Sequence, residues 1–273
     1  MPVAVLPDGR SAQYWLGGAD AGPVVLFFHG CPDTRWAART GQSAARDAGA
    51  RLLSVNRQGY GRSSLAESTH TSAAADALAV ADRLGIEEVA VLGMSVGGGY
   101  AIACAAGHSR RVTRLGVVAT LPPPEAEPTE SVFAMMARFA PEFAGYVDGL
   151  APDDPDDAAL ADRFTAELPE QDAALLRAAM TPAELATSVR EALARPEGYL
   201  RDAALTFRPW GFDVTTVGCP SHLWYGELDE RARPGGDWLE EQIPGARLRV
   251  VPGATHLATL LGTWEEILRT LLD

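Results

Sequence analysis

Lysine is absent from this 273-residue chain: all 23 basic residues are arginine, set against 36 acidic residues for a formal net charge of −13. An acidic chain without a basic run is a poor partner for nucleic acid or an anionic membrane surface, and a small-molecule substrate suits it better. The preference for arginine itself carries no mechanism. Long apolar runs are missing as well, so no membrane span is expected. The opening residues, MPVAVLPD, lack the basic segment and apolar stretch of a secretory leader. Cysteine is sparse: Cys31, Cys104 and Cys219 stand far apart with no C-x-x-C pair. That excludes a disulfide framework or a zinc site and fits a reducing cytoplasm. The five histidines show no H-x-x-x-H spacing, and neither a metal nor a cofactor is expected.

What is present centres on Val89-Ala90-Val91-Leu92-Gly93-Met94-Ser95-Val96-Gly97, an apolar run broken by G-x-S-x-G and followed by an alanine-rich segment. Val89–Leu92 reads as a buried strand and Ala101–Ala106 as the helix after it. Ser95 then occupies a tight strand-to-helix turn, where a Cβ at position 93 or 97 would collide with the neighbouring turn. Such a turn lifts a hydroxyl clear of the backbone, close to a helix N-terminus that favours an oxyanion. The alternative is a glycine-rich packing turn with an incidental serine.

In chain order, Val3–Leu6 and Gln13–Leu16 read as a hairpin through Pro7-Asp8-Gly9. Val24–Phe28, Arg51–Val55 and Arg114–Ala119 are further strands, and Arg35–Ala48 and Thr71–Leu84 are helices. Apolar strands alternating with helices imply an α/β fold with a mostly parallel, doubly wound sheet. After Leu121-Pro122-Pro123-Pro124 the character changes to amphipathic helices over 131–146, 156–168, 170–180 and 182–195. Alternation resumes with strands Ser221–Tyr225 and Leu248–Val251 and helices over 238–242 and 264–272. The simplest organisation is a core of residues 1–120 and 206–273 with a helical cap, residues 121–205, inserted after the sixth strand.

A serine hydroxyl needs a base, and the base needs an orienting acid. In such sheets active groups lie at the carboxyl ends of strands. Asp229 follows the strand ending in Trp224-Tyr225, and His256 follows Leu248–Val251. The order Ser, Asp, His is the one expected downstream of a nucleophile elbow. Glu227, Glu230 and Asp213 are competing carboxylates. For an oxyanion, the backbone N–H of Val96 and that of Cys31, in the loop His29-Gly30-Cys31-Pro32, are the candidate donors. The Cys31 thiol has no base beside it in sequence and is not expected to act as a nucleophile. His29 is expected at the pocket edge, holding its loop by hydrogen bonding. Phe133, Met136, Phe139 and Phe143 share one helix face, which either roofs the pocket above Ser95 or seals the cap onto the core.

Taken together, HGCP at 29–32, NRQGYGRS at 56–63, GMSVG at 93–97, Asp229 in GELD and His256 in GATH resemble the cap-bearing serine hydrolases of the α/β-hydrolase fold superfamily, over nearly all of residues 20–273. The segment FRPWGFD at 207–213 is similar to the return from cap to core in some of these enzymes. The resemblance implies a cofactor-free esterase with Ser95, Asp229 and His256 as its triad. A C–C bond hydrolase, a thioesterase or amidase, and a perhydrolase share that machinery. An imino-peptidase fits less well, because His29-Gly30-Cys31-Pro32-Asp33 departs from its usual motif. A non-catalytic ligand receptor of the same fold is the rival from another class. Relatives that attack with aspartate, haloalkane dehalogenases and epoxide hydrolases, are disfavoured by serine at position 95. Relatives usually carry aspartate where this chain has Asn56, so an altered hydrogen bond is expected there.

Overall fold

The computed structural model describes residues 2–273; Met1, the first residue of the expected core, lies outside them. The chain opens with β1 (Val3–Val5), β2 (Ser11–Gly18) and β3 (Val24–Phe28), and β1 and β2 form the expected antiparallel hairpin. After α1 (Gln42–Asp47) come β4 (Arg51–Val55), α2 (His70–Arg83), β5 (Val89–Met94), α3 (Gly97–Gly107) and β6 (Val112–Val118). Five helices follow: α4 (Val132–Leu150), α5 (Asp157–Ala166), α6 (Glu170–Ala179), α7 (Pro182–Leu193) and α8 (Pro196–Thr206). The chain then re-enters the sheet with β7 (Ser221–Gly226), α9 (Arg233–Gln242), β8 (Arg247–Val251), α10 (His256–Leu261) and α11 (Trp264–Leu272).

The eight strands form one sheet in the order β1-β2-β4-β3-β5-β6-β7-β8, antiparallel at β1/β2 and β2/β4 and parallel elsewhere. Strands β3 and β5 are buried at every position. That is why they read as unbroken apolar runs: helices cover both faces of a parallel sheet. On α11, Trp264, Ile267, Leu268 and Leu271 recur at helical spacing and face the sheet, with the Trp264 ring 5.5 Å from that of Phe27. Helices α4–α8 hold a second apolar cluster of their own, including Phe143, Leu160, Leu185 and Leu200.

Two local expectations change. The segment 35–48 is not one helix: a 3-10 helix over Arg35–Gly41, capped by Thr34, gives way to α1 at Gly41. Gly41 lies against the Trp264 indole, where any Cβ would collide. Proline punctuation at Pro196 conceals α8, because proline fits the first turn of a helix, where no intrahelical donor is required.

Candidate active site

At the end of β5 the chain turns so sharply that Ser95 adopts φ 55°, a left-handed conformation rare for a residue with a side chain. Its neighbours impose it. Ser95 N donates to Val118 O at 2.8 Å, while Ser95 O accepts from Gly98 N at 2.9 Å and from Thr120 Oγ1 at 2.8 Å. A Cβ on Gly93 would strike the Gly97 backbone, and one on Gly97 would strike the Phe28 carbonyl. Both glycines are therefore demanded by close approach, and Val96 becomes the N-cap of α3.

Asp229, in the turn after β7, is buried and accepts at Oδ1 from Ala232 N at 3.2 Å. Its Oδ2 lies 2.5 Å from Nδ1 of His256, the first residue of α10. Burial pushes the Asp229 carboxyl up, but the hydrogen bond and charge of His256 outweigh it and leave the group below its ordinary value. The competing carboxylates face other surroundings. Glu227 is exposed and accepts from Gly253 N at 2.8 Å, Asp213 caps Thr215, and Glu230 is exposed.

The His256 loop is braced from α6. Gln171 Nε2 donates to Gly253 O at 3.1 Å, and its Oε1 accepts from Thr255 N at 3.1 Å and Thr255 Oγ1 at 2.8 Å. Buried Asp172 accepts from Ala258 N at 2.8 Å and from the Thr255 hydroxyl. Both residues escape a sequence reading, in which they are ordinary polar residues in the first turn of an amphipathic helix.

Arg57 organises the loop after β3. Its Nη1 donates to His29 O at 2.7 Å and its Nη2 to Gly30 O at 2.9 Å. With the Gly30 carbonyl held and the peptide planar, the Cys31 N–H points the opposite way. Burial works against the guanidinium charge, but Asp202 beside it holds it protonated, above its ordinary value. The Tyr60 and Tyr100 hydroxyls each donate to Asp202 at 2.7 Å. Arg57 stands in the sequence inside a recognisable loop, yet nothing local marks Asp202 as its partner.

Ser95, Val96, Asp229, His256 and Cys31 together line a cavity of about 510 Å³. Phe139 and Phe143 of α4 stand on its wall, together with Tyr199 and Phe207 at the two ends of the α8 region. The other expected pocket residues do not. His29 is fully buried, away from the cavity; its Nδ1 lies 2.9 Å from Gly30 O and its ring stands edge-on to Tyr60. Burial holds its imidazole well below the ordinary value, hence neutral. Phe133 is 57% exposed, with the Arg201 guanidinium over its ring, and Met136 packs into the apolar cluster of the insertion. A helix face spanning these four positions is wider than the pocket wall it supplies. Its surroundings push the Cys31 thiol far up, which favours the neutral form.

Asn56 has a partner that explains it. Its Oδ1 accepts from Arg35 N at 2.7 Å, and its Nδ2 donates to Glu191 Oε1 of α7 at 2.7 Å. An aspartate there would offer no donor and would set a second negative charge against Glu191. Among the described residues, no cluster of three or more histidine, cysteine or acidic side chains is arranged to hold a metal, and no helix is long and apolar enough to cross a membrane.

The chain is similar over 87 residues, at 37% identity, to an epoxide hydrolase of Caballeronia sordidicola, covering 30% of this chain and 26% of that protein. Over 128 residues it is 32% identical to a non-heme haloperoxidase of Rhodococcus erythropolis, covering 45% of each. The matches thus span less than half the length of either relative. A thermophilic esterase from Thermogutta terrifontis superposes over 100% of this chain and 99% of its own with a TM-score of 0.69 at 22% identity, which speaks for the fold alone. The family described as alpha/beta hydrolase fold matches residues 23–263. That match runs from the residue before β3 to the N-cap of α11 and takes in the serine turn and both later loops, so the chain belongs to the alpha/beta hydrolase fold family.

Proposed function

We propose that this hydrolase is a serine esterase acting on small to medium carboxylic esters through an acyl-enzyme on Ser95. The observation that carries the reading is the 2.5 Å contact of Asp229 Oδ2 with His256 Nδ1 at the rim of the cavity that Ser95 lines. With the Nδ1 proton committed to Asp229, His256 presents Nε2 as a base. Ser95 Oγ attacks the ester carbonyl as its proton passes to His256. The negative charge that develops on the carbonyl oxygen meets the Val96 and Cys31 amides. His256 then protonates the departing alcohol. A water molecule, deprotonated by His256, attacks the acyl carbon and releases the acid and the Ser95 hydroxyl.

Serine at the turn is also the reason not to read across from the epoxide hydrolase relative, whose relatives of that type attack with aspartate. Residues 121–205 serve in this reading as a cap, with α4 and the α8 region walling the cavity and selecting substrate. The test is turnover of a series of 4-nitrophenyl esters together with fluorophosphonate labelling and mass spectrometry. Ester turnover with the adduct on Ser95 is expected. Ligand binding without turnover would favour a receptor, and an adduct on Cys31 or Ser63 would overturn the assignment.

A further inference from the structure

Behind Ser95 lies a second, inner chamber of about 260 Å³, which shares Cys31, Ser95 and His256 with the outer cavity. Whole-ligand sites run to roughly 300–1,000 Å³, so a chamber of this size receives one arm of a molecule rather than all of it. Its wall is mainly apolar, drawn from Phe27, Phe164, Leu176, Met180, Val189 and Leu260. The polar groups in that wall are nearly all spoken for. Thr40 Oγ1 donates to Ala37 O at 2.7 Å and accepts from Trp264 Nε1 at 3.0 Å. Asp172 holds the His256 loop.

Asp33 is the second carboxylate of that wall and has no part in holding the His256 loop. Its Oδ1 accepts from Thr34 N at 2.7 Å and from Ser188 Oγ at 3.3 Å. Among the described residues, no donor reaches Oδ2. Asp33 is only partly buried, so Oδ2 stays open to the chamber; a ligand hydroxyl that bonds it enters the apolar space without leaving its own proton unpaired. Burial already pushes this carboxyl up to about 6.

We propose that the inner chamber seats an apolar arm of the substrate carrying one hydroxyl, and that Asp33 selects this arm by accepting the hydroxyl's hydrogen bond at Oδ2. A neutral hydroxyl suits the mainly apolar wall better than an ammonium, whose transfer out of water costs far more. This deepens the esterase reading and rests on it for the identity of the scissile bond. The arm belongs to either the acyl or the alcohol side of an ester, and the experiment separates the two.

Equilibrium binding to the full chain carrying Ser95→Ala is measured by calorimetry for two matched pairs. Ethyl 6-hydroxyhexanoate against ethyl hexanoate probes the acyl side; the monobutyrate of hexane-1,6-diol against hexyl butyrate probes the alcohol side. With Asp33 present, the hydroxylated member of one pair is expected to bind at least as tightly as its plain partner. Adding Asp33→Leu is expected to weaken it about tenfold relative to that partner. A tenfold penalty for the hydroxyl in both pairs with Asp33 in place overturns the proposal, and this outcome requires no Asp33 variant to fold. An unchanged ratio in Asp33→Leu overturns it too. Because binding is read without turnover, these outcomes stand apart from the esterase reading, which is judged by hydrolysis of the same plain esters with Ser95 restored.

Discussion

Arg57 and Asp202 meet at 2.5 Å, with only 4% and 3% of their side chains exposed, and so join the loop after β4 to helix α8. The same guanidinium holds the His29 and Gly30 carbonyls. The pair therefore ties the helical insertion to the peptide that presents the Cys31 amide. Removing one partner strands a buried charge, at a cost of about 3–5 kcal/mol. Asp202→Ala is expected to lower the unfolding free energy by that order and to reduce kcat more than it raises KM, since Cys31 N–H loses its fixed direction. Urea denaturation beside steady-state kinetics checks this; a KM effect with kcat unchanged would detach Arg57 from oxyanion geometry.

Ser95 is both the proposed nucleophile and a strained residue. Ser95→Ala is expected to abolish hydrolysis, by about 10⁶ in kcat on the precedent of another serine triad, with the fold intact. Ser95→Gly should be equally inactive yet more stable by about 1 kcal/mol, because glycine adopts φ 55° without a Cβ penalty. Melting temperatures of the two variants, compared at matched activity loss, test the strain separately from the chemistry.

The choice of acid rests on contact. Asp229→Asn is expected to reduce kcat by about 10⁴, since an amide facing His256 Nδ1 favours the wrong imidazole tautomer. The exposed Glu227 carboxylate accepts from Gly253 N, away from His256, so Glu227→Gln should leave kcat within a few-fold of the native value. Rates of both variants on one ester decide between them.

On α4, neighbouring residues have different surroundings. Phe139 packs against the same apolar cluster as Met136 but also lines the cavity, so Phe139→Ala should cost stability and in addition move kcat/KM toward longer or bulkier esters. Met136 packs among the insertion's apolar side chains and is only half-buried. Met136→Ala should cost stability toward the lower end of the about 2–5 kcal/mol range and leave the chain-length profile unchanged. A chain-length series measured beside melting temperatures distinguishes the two roles.

Asp33 makes the pH dependence of stability testable. An unfolded aspartate titrates near about 3.9, whereas burial in the chamber raises this one to about 6. The unfolded chain thus releases the proton first. The stability contribution is complete below the unfolded value and is lost as pH rises through about 6. Asp33→Asn is expected to remove that decline, so the difference in unfolding free energy between variant and native chain should move in the variant's favour between pH 4 and pH 7. Denaturant melts across that range check the sign.

Much of the molecule was determined by the sequence alone. Strands β3 and β5 are legible because a sheet covered on both faces requires unbroken apolar runs. The serine turn is legible because Gly93 and Gly97 answer a local steric demand within five residues. The order of Ser95, Asp229 and His256 follows from strand ends, which a linear pattern records. Other features arose only in the tertiary structure. The contact of Asp229, already the preferred acid in the sequence, with a ring 27 residues on is made only by folding. Arg57 found its counter-charge on Asp202 across 145 residues, a pairing with no periodic signature. Periodicity also placed Met136 and Phe139 on the same side of α4, but it reports that a face is apolar and not what that face meets. Both side chains pack against the insertion's apolar cluster, but only Phe139 also reaches the cavity, and that difference is set by how the insertion docks on the sheet. The inner chamber and the free oxygen of Asp33 are likewise products of that docking, because the wall around them comes from segments that are adjacent only once the chain has folded.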